Sequence, residues 1–164
     1  PTEELEFATH LIKSVMDGID REKSIASMHV CRGNWSKDES ILLTGPYTPL
    51  LDLFADINAD LLALEFSTPR AGELKSLLAD DRIKNKIILG LGVLNPRFDQ
   101  KEDVDFIYNR AKEALTYIDK ENLWLNPDCG FATFSNRPVN EYENIKAKVG
   151  SMIEARDRLR ADYE

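Results

Sequence analysis

The sequence has few of the residues that mark secreted proteins or proteins that cross a membrane. It contains two cysteines among 164 residues, and a chain of this size needs no disulfide to stabilise its core. No apolar run approaches the ~18 residues of a membrane span, and the N-terminal segment is acidic and amphipathic, unlike a signal sequence. We therefore expect a cytoplasmic protein with reduced cysteines and no membrane partner.

Basic residues are also scarce. Acidic side chains outnumber basic ones by 29 to 21, which gives a formal net charge of −8. A nucleic-acid-binding protein normally presents a basic face, so we expect no nucleic-acid partner. The sequence also lacks a dinucleotide fingerprint, a nucleotide P-loop and a lysine motif for pyridoxal phosphate.

The chain does contain a regular alternation of apolar runs and amphipathic segments, which predicts a single domain over 1–164. A first helix is predicted from Thr2 to about Ile19. Buried strands are predicted at 24–31, 60–66 and 86–93, and a fourth strand at 122–126. Helices are predicted at 50–57, 68–78, 100–118 and 139–160. Thr48–Pro49 and Thr68–Pro69 each predict a helix start, with threonine as N-cap and proline at the first helical position.

Strict alternation of strands and helices predicts an α/β fold with a parallel sheet covered by helices. Two architectures fit this order, a doubly wound sheet and a (β/α)8 barrel. Four β/α units are only half of a barrel, because a complete one usually has about 250 residues.

Candidate metal ligands lie at the predicted strand ends, where parallel α/β folds form their sites. His29 and Cys31 end the first strand, Glu65 ends the second, and Cys129 follows the fourth. Side chains two residues apart on a strand point to the same face, so His29 and Cys31 can project together. One nitrogen, two sulfur atoms and one oxygen suit Zn²⁺.

The residues by themselves leave other interpretations open. Buried cysteine is common as a small apolar residue, and Cys31 and Cys129 could form a disulfide. A carboxylate in an apolar strand is costly to bury unpaired, so Glu65 needs a cation, a proton or a metal as its partner. In an ordinary α/β binding module, Glu65 would form a structural ion pair and no metal would bind.

Several other residues at strand ends have simpler interpretations. Gly90 and Gly92 lie in a glycine-rich turn and are expected to permit close packing. Trp35 and Phe131 lie on strand-end loops, where they pack or line a substrate site. His10 lies within the first helix and is expected to be a surface or packing residue.

Four segments together resemble the catalytic barrel of the cobalamin-independent methionine synthase family: MHVCRGN, ALEFSTPRAGEL, LGLGV followed by NPR, and LWLNPDCG. They occur in the order and spacing of that family, and the resemblance spans essentially the whole chain. It implies that the fold is the C-terminal half of a TIM (β/α)8 barrel, with strands five to eight. It also implies that the zinc ligands are His29, Cys31, Glu65 and Cys129.

The activity that the resemblance implies is zinc-dependent transfer of a methyl group to the thiol of homocysteine, which forms methionine. The methyl donor in the family is a methyltetrahydrofolate polyglutamate. Asn34, Ser67 and Asp128 are the candidate substrate-binding residues. Asp128 could equally support a metal ligand or cap a turn.

The sequence departs from the family in two respects. The family has an Asp-x-His at the end of strand seven, whereas here the turn runs from Gly92 to Arg97 without histidine. This favours a relative that uses a corrinoid methyl donor or coenzyme M. The upstream half is absent and half a barrel exposes strand edges, so we expect a fragment, or a chain that pairs with the missing half or another copy. A non-catalytic half-barrel is a further alternative.

Overall fold

The computed structural model describes residues 2–84 and 86–164. Helix α1 (Thr2–Asp17) leads into a four-stranded sheet. The strands are β1 (Ser27–Val30), β2 (Leu61–Leu64), β3 (Ile88–Leu94) and β4 (Leu123–Pro127). The other helices are α2 (Leu51–Asp56), α3 (Leu74–Leu78), α4 (Asp81–Lys84), α5 (Val104–Ala114) and α6 (Tyr142–Tyr163). Strands and helices alternate as the sequence predicts, so the α/β fold class is confirmed.

The topology of the sheet separates the two architectures that the sequence left open. All neighbouring strands are parallel, and their spatial order is β1-β2-β3-β4. Each crossover therefore moves one strand further in the same direction. A doubly wound sheet reverses direction at a switch point, whereas a β/α barrel does not. The sheet is thus part of a TIM-type barrel.

The main core lies between the sheet and its helices. Leu62 of β2 lies opposite Leu89 of β3, and Leu64 lies opposite Leu91, with all four side chains fully buried. Burying one leucine contributes about 1.5–3 kcal/mol. This double row therefore holds the two inner strands firmly in register.

The two outer strands are covered less completely. Side chains of β1 alternate between exposed and half-buried, so the predicted burial of this strand is wrong. Trp124 of β4 is 47% exposed. Helix α1 also has an uncovered apolar stripe, which consists of Phe7, Leu11 and Val15. Within the described ranges, none of the helices combines the length and the hydropathy that crossing a bilayer requires.

The predicted cap at Thr48 is wrong, whereas Thr68 holds the predicted N-cap position with a proline after it, at the start of a 3-10 turn. Thr48 is itself the first residue of a 3-10 turn, Thr48–Leu50, that leads into α2. Thr68 precedes a second 3-10 turn, Pro69–Ala71, and its side chain makes no capping hydrogen bond. In both places the proline lies near the start of a tight turn, since its fixed φ suits a 3-10 turn as well as an α-helix.

Two helices begin later in the structure than the sequence predicts, because the loops before them are longer. The predicted helix at 68–78 is interrupted at Gly72, whose φ of +80° is a conformation that L side chains rarely adopt. Helix α3 therefore begins only at Leu74. The next long helix begins at Val104, because the Asp103 side chain accepts a hydrogen bond from a backbone N–H of its first turn.

Candidate metal centre

Four side chains meet at the carboxyl edge of the sheet. One nitrogen, sulfur or carboxylate oxygen atom of each lies within 4.8 Å of the others, and the residues are His29, Cys31, Glu65 and Cys129. Cys129 Sγ is 3.3 Å from His29 Nε2 and 3.2 Å from Cys31 Sγ. The same sulfur is 3.0 Å from Glu65 Oε1. The structure thus brings together the four side chains that the sequence predicts to share a site, with Cys129 touching the other three.

Cys129 reaches this cluster because the chain continues alongside β3 past a bulge, and the Asp128 side chain then reaches across β3 to the segment after β2. The N–H of Asp128 donates to the carbonyl of Leu94 at 2.8 Å. The Asp128 carboxylate accepts hydrogen bonds from the backbone N–H groups of Phe66 and Ser67, each at 3.0 Å. The Ser67 hydroxyl donates to the other carboxylate oxygen at 2.5 Å. Asp128 therefore caps the segment after β2 and sets Cys129 above that strand end.

Two glycines of β3 leave the space for this path. A Cβ atom on Gly92 would lie 2.3 Å from Asp128 Oδ1 and 2.5 Å from the Leu64 carbonyl oxygen. A Cβ atom on Gly90 would lie 2.7 Å from Asn126 Oδ1. The close packing that the sequence predicts at both glycines is confirmed.

The imidazole of His29 is oriented by a backbone carbonyl. Its Nδ1 lies 2.8 Å from the carbonyl oxygen of Ala63. A carbonyl oxygen only accepts hydrogen bonds, so Nδ1 carries the proton. Nε2 then faces Cys129 and, in the neutral imidazole, is the nitrogen that can bind a metal. Histidines that bind metals normally donate their second ring N–H in this way, which fixes the tautomer.

Glu65 is the most deeply buried member of the cluster, with 1% exposure. Its Oε1 accepts hydrogen bonds from the Cys129 thiol and, at 3.2 Å, from the Arg32 backbone N–H. Its Oε2 forms an ion pair with Arg70 Nη2 at 3.3 Å. The sequence predicts that this buried carboxylate needs a partner, and the structure identifies Arg70 as that partner.

A second carboxylate lies behind Arg70. Glu39 Oε1 is 3.4 Å from Arg70 Nη1 and 3.1 Å from Arg97 Nε. The Asn95 amide donates to the same oxygen at 2.6 Å. Burial would raise the pKa of Glu39, but hydrogen bonds from Asn95 and Arg97 and the charge of Arg70 outweigh it, and the pKa lies below its ordinary value.

Sequence reasoning missed this charged network. Glu39 lies on the long segment after β1, whose path is set only by the packing of the other loops. One signal was available, because a Pro-Arg pair follows each inner strand: Pro69–Arg70 and Pro96–Arg97. Two arginines in matching places at adjacent strand ends indicate that carboxylates lie close by.

Both cysteines are free. Their sulfur atoms are 3.2 Å apart, whereas a disulfide bond is about 2.05 Å long, so the disulfide alternative is wrong. Cys31 is exposed and accepts a hydrogen bond from the Gly33 N–H at 3.2 Å. Burial, together with the hydrogen bonds to Glu65 and Cys31, raises the pKa of the Cys129 thiol. Without a metal, Cys129 is therefore a neutral thiol that donates to Glu65.

The three predicted substrate-binding residues lie beside the cluster and make contacts within the protein. Asn34 Nδ2 donates to the Gly130 carbonyl at 2.6 Å, which joins the loop after β1 to the loop after β4. Asn34 Oδ1 is buried, and no described group donates a hydrogen bond to it. Ser67 and Asp128 bond to each other, and burial raises the pKa of Asp128 to about 6. Among its described contacts, the Asp128 carboxylate holds the segment after β2 rather than a turn of its own, and substrate binding by all three residues stays a prediction.

The remaining candidates lie outside the cluster. His10 is exposed on α1. Trp35 is 54% exposed, and Phe131 is half-buried and packs against the core. His10 therefore takes no part in the candidate metal centre.

The donor set suits zinc. Ligand distances of about 2.0–2.3 Å place the ligand atoms of a tetrahedral zinc site roughly 3.3–3.8 Å from one another. The contacts at Cys129 are 3.0–3.3 Å, and the four ligand atoms all lie within 4.8 Å of one another, so side-chain movements of about an ångström would bring them to these separations. A neutral imidazole, two thiols and a carboxylate are donor types that zinc binds in proteins. The assignment of these side chains as ligands stays a prediction.

The fold and the cluster define a class of protein, a β/α-barrel protein with a candidate metal centre at the carboxyl ends of its strands. Residues 7–157 match the family described as cobalamin-independent synthase, catalytic domain. The chain therefore belongs to the cobalamin-independent synthase catalytic-domain family, and the resemblance seen in the sequence is confirmed.

Individual relatives agree with this membership. The uncharacterized protein YxjG of Bacillus subtilis is 31% identical over 145 residues, which cover 87% of this chain and 37% of that protein. A protein of Pyrococcus abyssi named methionine synthase is 30% identical over 162 residues, or 99% of this chain and 40% of that protein. This chain thus spans about two-fifths of the length of these relatives.

A solved structure supports the same fold. It is a B12-independent methionine synthase from a Shewanella species in complex with selenomethionine, which matches with a TM-score of 0.73 and 16% sequence identity. The match covers 96% of this chain and 44% of that one. The similarity concerns the fold alone, and it places nearly the whole chain within part of a barrel.

Proposed function

We propose that this chain carries the metal centre of a zinc-dependent methyltransferase that methylates the thiol of homocysteine to form methionine. The observation that carries the proposal is the convergence of His29, Cys31, Glu65 and Cys129 within 4.8 Å. Membership of the synthase family and similarity to a relative named methionine synthase support the reaction.

The four side chains would hold the metal through His29 Nε2, the two thiolates and Glu65 Oε1. Zinc bound there would lower the pKa of a substrate thiol and so favour its nucleophilic thiolate form. In the reaction, the homocysteine sulfur loses its proton and bonds to the methyl group as the bond to the donor breaks.

The protein residues around the ligands would keep the site in place before substrate binds. The Ala63 carbonyl orients His29, and Asp128 anchors the loop that carries Cys129. Asn34 Oδ1 is buried without a donor among the described residues. It is therefore available to accept a hydrogen bond from a substrate N–H, which supports the predicted role of Asn34.

We also propose that further β/α units, or a second copy of the chain, complete the barrel and the substrate site. Both outer strands are only partly covered. A groove beside β4 and α6 supports this proposal. Its lining combines apolar side chains, among them Trp124 and Met152, with charged ones such as Glu121 and Arg156. At the other edge of the sheet, α1 precedes β1 along the chain, and its exposed apolar stripe is a second surface that a partner could cover.

The turn after β3 favours a second candidate for the methyl donor. Where the family has a histidine, this turn carries Asn95 and Arg97, whose side chains donate hydrogen bonds to Glu39. The remaining histidine, His10, is exposed on α1. A side chain that protonates a folate leaving group is therefore missing from this turn, and a corrinoid donor, or coenzyme M as the thiol, is the alternative.

The first test is the zinc content of the purified chain and of matched variants. We expect about one zinc per chain, as four-ligand sites bind, and loss of most of the metal in Cys129→Ser and His29→Ala. His10→Ala removes the same kind of side chain from α1, so it should retain the metal. Elemental analysis, with circular dichroism to verify folding, decides the matter.

Two outcomes of this test would contradict the proposal. One is a wild-type chain that is folded but takes up no zinc when zinc is supplied. The other is a folded Cys129→Ser variant with the zinc content of the wild type. For the thiol, Co²⁺-loaded protein should change its visible absorption when homocysteine is added, because a new sulfur ligand alters the metal spectrum.

A further inference from the structure

We infer that Glu39 is a positioning residue for the metal centre, which acts through Arg70 on the ligand Glu65. This inference rests on the proposed function, because it assumes that Glu65 binds the metal. Glu39 does not touch the four clustered side chains and lies on a different loop from each of the groups it holds. Its effect on the metal would be transmitted through one guanidinium group.

The geometry of Arg70 makes this connection. Its Nη2 donates a hydrogen bond to Glu65 Oε2 at 3.3 Å, and its Nη1 lies 3.4 Å from Glu39 Oε1, which is an ion pair without a hydrogen bond. The Arg70 side chain is only 8% exposed, so solvent screens these pairs weakly. With Oε2 held by Arg70, the other oxygen of Glu65 is directed at Cys129 and the cluster. Arg70 thus determines which oxygen is free to bind a metal.

The position of Glu39 is itself set by the turn after β3. Asn95 Nδ2 and Arg97 Nε both bond to Glu39 Oε1, at 2.6 and 3.1 Å. The Arg97 side chain is fully buried, and its Nη1 donates to the Gly33 carbonyl at 3.1 Å. Gly33 in turn donates to the Cys31 sulfur. Glu39 is therefore held in place by the turn after β3.

Charge balance explains why removal of Glu39 would weaken metal binding. Two carboxylates, Glu39 and Glu65, face two guanidinium groups, Arg70 and Arg97, in a largely buried setting. Without Glu39, Glu65 would be the one carboxylate left in contact with Arg70 among the described residues. A guanidinium prefers to engage both oxygens of a carboxylate, so it would draw Oε1 away from the cluster and weaken metal binding.

The test compares zinc dissociation constants of folded proteins, measured by competition with a chromophoric chelator. Supporting residues around metal ligands typically contribute 10- to 100-fold in affinity. We expect losses of about this size in both Glu39→Gln and Arg70→Met. The double variant should lose little more than Arg70→Met, because residues that act in series are not additive. Visible spectra of the Co²⁺-loaded proteins should shift in the same variants.

A matched control is available at the opposite end of β2. Asp60 pairs with Arg21 at 2.8 Å and accepts the Ala26 N–H at 2.7 Å, far along the strand from Glu65. Asp60→Asn removes an ion pair of a similar kind, so it should lower stability without changing zinc affinity. Glu39→Asp keeps the charge and should recover part of the affinity, and it replaces Glu39→Gln if that variant does not fold.

The outcomes separate this inference from the proposed function. Absence of zinc binding by the wild-type chain contradicts the proposed function and removes the basis of the inference. Tight binding by the wild type, with an unchanged dissociation constant in Glu39→Gln, overturns the inference alone. Additive losses in the double variant also overturn it, since they would mean that Glu39 acts independently of Arg70.

Discussion

The inner and outer strands of this sheet differ in how completely the protein covers them. In β2 and β3 nearly all side chains are buried, whereas β1 and β4 are half-exposed. The candidate metal centre includes residues from both kinds of strand. Glu65 follows an inner strand and is 1% exposed, whereas His29 and Cys31 come from an outer strand and are exposed. One side of the site is thus built by the core, and the other side lies open to solvent.

The largest effect should come from shortening an inner-strand leucine. Leu64→Ala removes a fully buried side chain from the sheet-to-helix core, which should lower the free energy of unfolding by about 2–5 kcal/mol. Met28→Ala on β1 removes a side chain of similar size that is only partly buried, so its cost should be clearly smaller. Urea unfolding of both variants measures the difference, and equal losses would mean that the two strands are equally covered.

A smaller loss should follow from adding a methyl group at Gly92. The new Cβ would lie 2.3 Å from Asp128 Oδ1 and 2.5 Å from the Leu64 carbonyl oxygen. Overpacking of this kind costs about 1–3 kcal/mol, and it should also displace the loop that carries Cys129. Gly130→Ala is the control, because no heavy atom lies within 4 Å of its added Cβ. A Gly92→Ala variant as stable as the wild type would show that the loop does not depend on this contact.

The smallest effect should come from the outer surface of α1. Val15 is 68% exposed, and alanine has the higher helix propensity, so Val15→Ala should change the unfolding free energy by no more than about 0.5 kcal/mol. Thermal unfolding at two protein concentrations checks this value. A loss of unfolding free energy well above 1 kcal/mol that grows with protein concentration would indicate that another copy of the chain covers this stripe. The outer side of the molecule would then be less exposed than the comparison of inner and outer strands assumes.

Much of the fold and the site could be predicted from local pattern. The apolar runs predict four strands, and their alternation with helices predicts a parallel sheet. His29, Cys31, Glu65 and Cys129 could be named because each lies at or just after a strand end, and parallel strands bring such ends to one edge. The sequence by itself therefore determined which residues share the edge of the sheet.

Tertiary structure decided how these residues are held. The position of Cys129 next to Glu65 depends on the Asp128 side chain, which occupies the space left by Gly92 and bonds to the segment after β2. The ion pairs of Arg70 with Glu65 and with Glu39 depend on how the loops after β1 and β2 pack against each other. These contacts join residues far apart in the chain, and no periodicity encodes them. Strand periodicity is local and can be read from the sequence, whereas loop paths follow from packing and from the need to pair buried charges.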